Sequence, residues 1–132
     1  MASGEAWVGT RSTMKGNAMI VRVYTGDDGQ SHFAEVTPSY SLDGHVERTP
    51  IEGAKGIVFN RFRAGQFIDW HPAPRRQYVI ILSGLFEIRI GDGSVRRLGP
   101  GDILLADDLT GRGHTTRIIG EEPCHTAAVP LT

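Results

Sequence analysis

The chain of 132 residues has one cysteine, no long apolar run and almost no net charge. A single cysteine, Cys124, excludes an internal disulfide framework and is typical of proteins that fold in a reducing compartment. The longest apolar runs are far shorter than the roughly 20 residues that a membrane-spanning helix needs. A formal net charge of −1 gives no general attraction for nucleic acid or an anionic membrane. We therefore expect a cytoplasmic protein with no nucleic-acid or membrane partner.

The sequence also lacks the 3.6-residue apolar period of an amphipathic helix over any useful length. From residue 56 onward, short segments rich in β-branched and aromatic residues alternate with glycine and proline turns. The predicted strands are 57–63, 66–70, 77–83, 85–90, 94–98, 102–106, 114–119 and 124–129. Eight short strands joined by frequent turns are typical of a β-sandwich or closed barrel. The length leaves room for one domain.

The N-terminal part of the chain has three segments of different composition. Residues 1–18 are rich in Gly, Ser and Thr and predict a flexible arm. Residues 19–24 and 31–37 flank the turn-forming sequence TGDDGQ and predict a β-hairpin ahead of the barrel. Residues 38–56 are polar and broken by proline and glycine, so we predict a loop with at most one short strand. The folded domain is predicted to comprise residues 19–132.

The segment 65–84, GQFIDWHPAPRRQYVIILSG, has the spacing G-x5-H-x-A-x3-Q-x6-G. This spacing resembles the first motif of the cupin superfamily, G-x5-H-x-H-x3,4-E-x6-G. His71 matches the first histidine, Ala73 stands at the second histidine, and Gln77 stands at the glutamate. The resemblance implies an all-β, single-domain, cupin-type jelly-roll β-barrel in which His71 and Gln77 point inward.

A second segment, 99–118, resembles the second cupin motif, G-x5-P-x-G-x2-H-x3-N. Gly111 and His114 match its G-x2-H element, whereas Leu109 stands at the expected proline and Ile118 at the expected asparagine. The run from Gly101 to His114 is also two residues longer than in the family pattern. The two motifs cover about the C-terminal half of the chain, and the resemblance implies that His114 faces the first motif across the barrel.

His71, Gln77 and His114 are the predicted site residues. The resemblance implies that they hold a divalent metal such as Mn, Fe, Ni or Zn, and imidazole is a suitable ligand for such ions. None of the three side chains is anionic, so we expect the metal to be weakly held or absent. In the alternative interpretation, each histidine only forms hydrogen bonds inside a polar pocket.

Asp69 and Arg75 are the predicted substrate contacts. Asp69 precedes His71 by two residues and therefore shares its strand face, which also makes it a candidate metal ligand. Alternatively, Asp69 caps the following turn or pairs with Arg75 or Arg76. A guanidinium at the barrel mouth is a candidate to bind a carboxylate or phosphate in a bidentate manner. The simpler alternative is that both arginines are solvated or locally neutralised at the rim.

A pocket with two imidazoles and an amide favours proton transfer on a small organic substrate, with or without a weak metal as Lewis acid. We expect lyase, isomerase or cyclase chemistry, because oxygenase iron sites generally use two histidines and a carboxylate. The histidines would serve as acid and base, and Gln77 would donate a hydrogen bond to a developing oxyanion. The alternative function is a metal-free binding module that holds a small metabolite without turnover.

The second strand of the first motif is apolar on both faces. Val79 and Ile81 share one face, while Tyr78, Ile80 and Leu82 share the other. An apolar outer face on a small β-protein requires a cover, either from the N-terminal hairpin or from another subunit. Cupins are commonly homodimers packed in this manner, so we predict a homodimer.

Overall fold

The structure, a computed structural model, describes residues 20–132. The predicted N-terminal arm, residues 1–18, lies outside the described residues and remains a prediction. Within the described range the chain is all-β, and no helix there is long and apolar enough to cross a membrane.

The twelve strands of the described range are β1 (Ile20–Thr25), β2 (Ser31–Val36), β3 (Ser41–Asp43), β4 (Val46–Arg48), β5 (Val58–Phe62), β6 (Phe67–His71), β7 (Gln77–Ser83), β8 (Leu85–Arg89), β9 (Val95–Leu98), β10 (Ile103–Asp107), β11 (His114–Ile119) and β12 (Cys124–Pro130). Every predicted strand forms, with its ends within one residue of the predicted positions.

The β3–β4 hairpin is a correction to the predicted loop over residues 38–56. Its strands pair from Ser41 opposite Arg48 to Asp43 opposite Val46. Gly44 adopts a φ of 66° in the tight turn between them, a conformation that glycine reaches without strain. All the strand residues are exposed, so no alternating apolar pattern marked this hairpin in the sequence.

The other strands form two sheets with the orders β2-β1-β10-β7-β12-β5 and β6-β11-β8-β9. All neighbouring strands are antiparallel except β1 and β10, which are parallel. The two sheets bury a shared apolar core between them. This architecture is a jelly-roll β-sandwich, which agrees with the cupin-type jelly roll that the two sequence motifs implied.

The β1–β2 hairpin extends the six-stranded sheet and does not form a second layer over it. The expectation that this hairpin covers the apolar outer face is therefore wrong. β1 aligns with β10 so that Ile20 lies opposite Ile103. Pairing with the open edge of β10 satisfies the main-chain hydrogen bonds of the hairpin, which a position over the sheet face would not do. The segment 36–52 instead borders the outer face and forms, with Tyr78 and Ile80, an apolar groove of ≈ 750 Å³.

The core side chains come from the inner faces of both sheets. From the six-stranded sheet they include Val21, Val79, Ile81 and Leu104, and from the four-stranded sheet Phe86, Ile88, Leu98 and Ile118. Val79 and Ile81 therefore point inward, as strand alternation predicted. Full burial of each such side chain stabilises the fold by about 1.5–3 kcal/mol.

Candidate functional site

A cavity of ≈ 240 Å³ lies between the two sheets. Its polar lining residues are His71, Gln77, His114, Asn60, Thr116 and Thr126. The remaining wall is apolar, and it contains no Asp, Glu, Lys or Arg from the described part of the chain. The three predicted site residues therefore line one largely apolar space.

The two motif histidines meet across neighbouring strands. His71 ends β6, His114 begins β11, and the two residues are direct antiparallel partners. Their ring centroids are 4.6 Å apart, with an angle of 58° between the ring planes. The structure thus brings together the histidines that the motif spacing placed opposite each other.

A buried carboxylate holds the ring of His114. Nδ1 of His114 lies 2.6 Å from Oδ2 of Asp108, and the two side chains are 6% and 0% exposed. The hydroxyl of Ser31 donates to the same carboxylate oxygen at 2.8 Å. An ionised carboxylate only accepts hydrogen bonds, so Nδ1 carries the proton of the neutral ring. Nε2 is then the nitrogen with a free lone pair.

A main-chain group holds the ring of His71 through the same nitrogen, Nδ1. Its Nδ1 lies 2.7 Å from the backbone carbonyl oxygen of Asp69, which can only accept. Nε2 of His71 is therefore also the unprotonated nitrogen of the neutral ring. Anchoring Nδ1 and leaving Nε2 available is the usual arrangement of histidines that bind metals or transfer protons.

Arg75 positions Gln77 and does not line the cavity. Its Nε donates to Oε1 of Gln77 at 3.0 Å, which leaves the two amide N–H groups of Gln77 as donors. The guanidinium of Arg75 is exposed, and no substrate contact follows from its position. Arg76 points elsewhere and pairs with Glu52 and Asp107 at 3.7 and 3.5 Å.

Asp69 does not share the inward face of His71, which corrects the prediction from strand alternation. His71 lies opposite His114, but Ile68 lies opposite Thr116, so β6 has one residue more than β11 over this stretch. Such a bulge shifts the alternation, and both Ile68 and His71 line the cavity. The exposed carboxylate of Asp69 instead accepts from the backbone N–H of Trp70 at 2.9 Å.

Close backbone contacts lock the two motifs together. A side chain at Gly113 would collide with the backbone carbonyl of His71, and its φ of +80° also favours glycine. The backbone N–H of Ala73 donates to the carbonyl oxygen of Asp108 at 2.8 Å. The loop before His114 is thereby fixed against the turn after His71.

Sequence reasoning missed Ser31 and Asp108. Asp107 and Asp108 are consecutive at the end of β10, so their side chains point to opposite sides. Asp107 faces outward and pairs with Arg22 at 2.8 Å, whereas Asp108 faces inward. The alternation of side chains along the strand was the signal that separates these two acids. No local signal identifies Ser31, which is 77 residues away.

The donors present do not form a complete site for a tightly bound metal. They comprise two Nε2 atoms and one amide oxygen that Arg75 already engages. In the described range, no group of three or more His, Cys, Asp or Glu side chains is arranged to hold a metal ion. Ala73, at the position of the second motif histidine, contributes only a methyl group to the wall.

The two-sheet jelly roll, with both motifs at one cavity, is a cupin-type fold. No protein-family model and no curated protein matches the sequence. Among solved structures, the chain is similar to a conserved protein of unknown function from Streptococcus pyogenes, with 26% identity, 64% of this chain and 69% of that chain covered, and a TM-score of 0.44.

Two further similar structures are cupins. The cupin domain of Schizosaccharomyces pombe Cnp3 is 14% identical, with 88% of this chain and 83% of that chain covered and a TM-score of 0.48. An RmlC-like cupin protein from Desulfovibrio desulfuricans is 16% identical, with 86% and 83% covered and a TM-score of 0.41. These similarities concern the fold and carry no information about activity.

Proposed function

We propose that this protein is an enzyme that moves protons on a small organic substrate held in the cavity, in a reaction of lyase, isomerase or cyclase type. The observation that supports this proposal is the buried chain from Ser31 through Asp108 to His114. Burying a carboxylate is costly unless it is paired and hydrogen-bonded. A pocket that only binds an unreactive apolar ligand needs no buried carboxylate behind its imidazole.

His114 is the proposed general base. Its Nε2 lone pair accepts a proton from a carbon next to a substrate carbonyl, and the electron pair of that C–H bond moves toward the carbonyl oxygen. The imidazolium that forms keeps its Nδ1–H on Asp108, whose negative charge stabilises it. Asp108 accepts no proton in this scheme and acts through the orientation and charge of His114.

Gln77 serves the developing oxyanion, and His71 is the proposed second proton carrier. The amide N–H groups of Gln77 are free of Arg75 and can donate to the oxygen as its negative charge increases. His71, with its ring centroid 4.6 Å from that of His114, would exchange a second proton with the substrate through its Nε2. Return of the first proton to a different atom gives isomerisation, and loss of a leaving group gives a lyase reaction.

The test is proton exchange into simple ketones, which requires no knowledge of the natural substrate. The protein is incubated with hexan-2-one in D2O, and NMR follows deuterium incorporation beside the carbonyl. We expect acceleration by the wild-type protein and a loss of about 100-fold or more in His114→Gln. Exchange that is equally fast in wild type and in a His71→Gln, His114→Gln double variant would overturn the proposal.

The binding-module alternative uses the same cavity without turnover. It requires that ketones shift the NMR signals of residues around the cavity while proton exchange stays at the rate of buffer. The mainly apolar wall is compatible with this function. The Asp108 contact to His114 favours the enzyme, because it fixes the tautomer that a general base needs.

A further inference from the structure

The hydroxyl of Thr126 is an unexplained polar group in the cavity wall. Thr126 is 0% exposed, and its Oγ1 has no hydrogen-bond partner among the residues that the structure describes. Buried polar groups in native proteins are nearly always paired, so each exception needs a physical explanation. A ligand that supplies the missing partner is such an explanation.

Thr126 lies at the end of the cavity wall away from Gln77. On β7, Gln77 is the partner of Pro130 and Ile81 is the partner of Thr126. Ile81 comes four positions after Gln77, which is about 13 Å along the strand. Thr126 is fully buried, and we call its part of the cavity the inner end.

Asn60 strengthens the polar character of that inner end. It is the cross-strand partner of Thr126 on β5, and its side chain lines the same cavity. Between the two ends the wall is mainly apolar and includes Val79, Ala128 and Ile88. The cavity thus has two polar ends separated by an apolar middle.

The wall carries no charged side chain from the described residues. An anionic group would lose its water there without gaining a cationic partner, which is strongly unfavourable. The volume of ≈ 240 Å³ is below the range of about 300–1,000 Å³ that is usual for drug-sized ligands. These properties select a small, uncharged molecule.

We infer that the substrate is an uncharged bifunctional molecule, with a carbonyl at the histidine end and a hydroxyl or second carbonyl at the other, and that Thr126 determines this specificity. The inference rests on the proposed function, because it names the substrate class of the same cavity. The hydroxyl of Thr126 donates to, or accepts from, the distal group. A substrate without that group leaves the hydroxyl unpaired.

The experiment compares hexan-2-one with 6-hydroxyhexan-2-one, which differ only in the distal hydroxyl. Their dissociation constants are measured by NMR titration of isotope-labelled wild type, Thr126→Val and Thr126→Ser. We expect the wild type to prefer the hydroxyketone by at least roughly fivefold. Thr126→Val should abolish the preference and still bind hexan-2-one, whereas Thr126→Ser should keep it.

Thr115→Val is the matched control. Thr115 is also a buried threonine, but it lies on β11 outside the cavity wall, so its loss should leave the preference unchanged. Equal binding of the two ketones, a preference that survives in Thr126→Val, or no binding of either ketone would overturn the inference.

The two proposals fail in distinguishable ways. Accelerated proton exchange into hexan-2-one without a preference for the hydroxyketone overturns only the role of Thr126. A preference that depends on Thr126, without exchange, overturns the enzyme and leaves the subsite. Well-dispersed NMR spectra of each variant verify that a lost preference does not reflect unfolding.

Discussion

Nδ1 of His114 lies 2.6 Å from a carboxylate oxygen of Asp108, and both side chains are almost completely shielded from water. The contact fixes which ring nitrogen of His114 carries the proton and leaves the other for the cavity. It connects the β1–β2 hairpin to the site as well, because Ser31 donates to the same oxygen.

Replacing Asp108 should impair both stability and proton transfer. Asp108→Ala leaves the ring N–H of His114 and the hydroxyl of Ser31 without an acceptor, at about 1–3 kcal/mol for each buried group. Asp108→Asn keeps the shape, but its amide no longer imposes one tautomer, so ketone exchange should fall by about 100-fold. Urea unfolding and the exchange assay measure the two effects.

Asp107→Asn is the control for this pair. Asp107 is adjacent in sequence but faces outward to Arg22, so its loss should leave ketone exchange within about twofold of wild type. Equal loss of exchange in the two asparagine variants would contradict the role given to Asp108.

Gly113→Ala should destabilise the fold and displace His71. The new methyl group collides with the backbone carbonyl of His71, and the left-handed backbone adds about 1–2 kcal/mol. Gly93→Ala is the control, because Gly93 has a φ of +90° with nothing within 4 Å of the added atom. We expect Gly113→Ala to lose about 1–3 kcal/mol more than Gly93→Ala in urea unfolding. Equal losses would show that the collision is relieved without strain.

The double change Ala73→His, Gln77→Glu should create a metal site. Both positions line the cavity beside His71 and His114, so the variant would add one imidazole and one carboxylate to two existing imidazoles. We expect its retention of Mn, Fe, Ni or Zn after dialysis against a mild chelator to exceed that of the wild type by orders of magnitude. Elemental analysis per chain is the measurement. Stoichiometric metal in the dialysed wild type would contradict the weak site that we predict.

Alkaline pH should destabilise the protein through Tyr78. Burial, aided by the hydrogen bond to Glu52, raises the pKa of Tyr78 to about 12 from its ordinary value of 10.0. The unfolded chain therefore loses this proton at lower pH than the folded chain, so stability is retained below pH 10 and is lost as pH rises toward 12. Tyr78→Phe should show a smaller decrease in unfolding free energy over this window, and it should lack the latest step in tyrosinate absorbance. An unchanged absorbance titration in Tyr78→Phe would refute the assignment.

We expect a homodimer formed through the outer face of the six-stranded sheet. Apolar side chains at paired positions of neighbouring strands form a row across this face. Phe59 and Leu82, near the end of the row, are 71% and 49% exposed. Phe59→Glu with Leu82→Glu should convert a sedimenting dimer into a monomer. Leu42→Glu, on the separate β3–β4 hairpin, should remain dimeric. A wild type that sediments only as monomer at high micromolar concentration would disprove the dimer.

The sequence by itself determined the cupin-type jelly roll and every strand of the described range except β3 and β4. Alternating apolar residues and turn-forming glycines are local signals, because successive side chains of a strand point to opposite faces and a turn depends on its own few residues. The motif spacing also placed His71, Gln77 and His114 around one cavity. These features need no knowledge of which distant segments meet.

Only the tertiary structure decided what surrounds those residues. One extra residue in β6 turned Asp69 away from the cavity, although its spacing from His71 indicated the opposite. The contact of Ser31 with Asp108 joins segments 77 residues apart, and the isolation of Thr126 depends on what every neighbouring strand leaves unpaired. Strand register and burial result from the packing of the whole chain, so a local pattern cannot specify them.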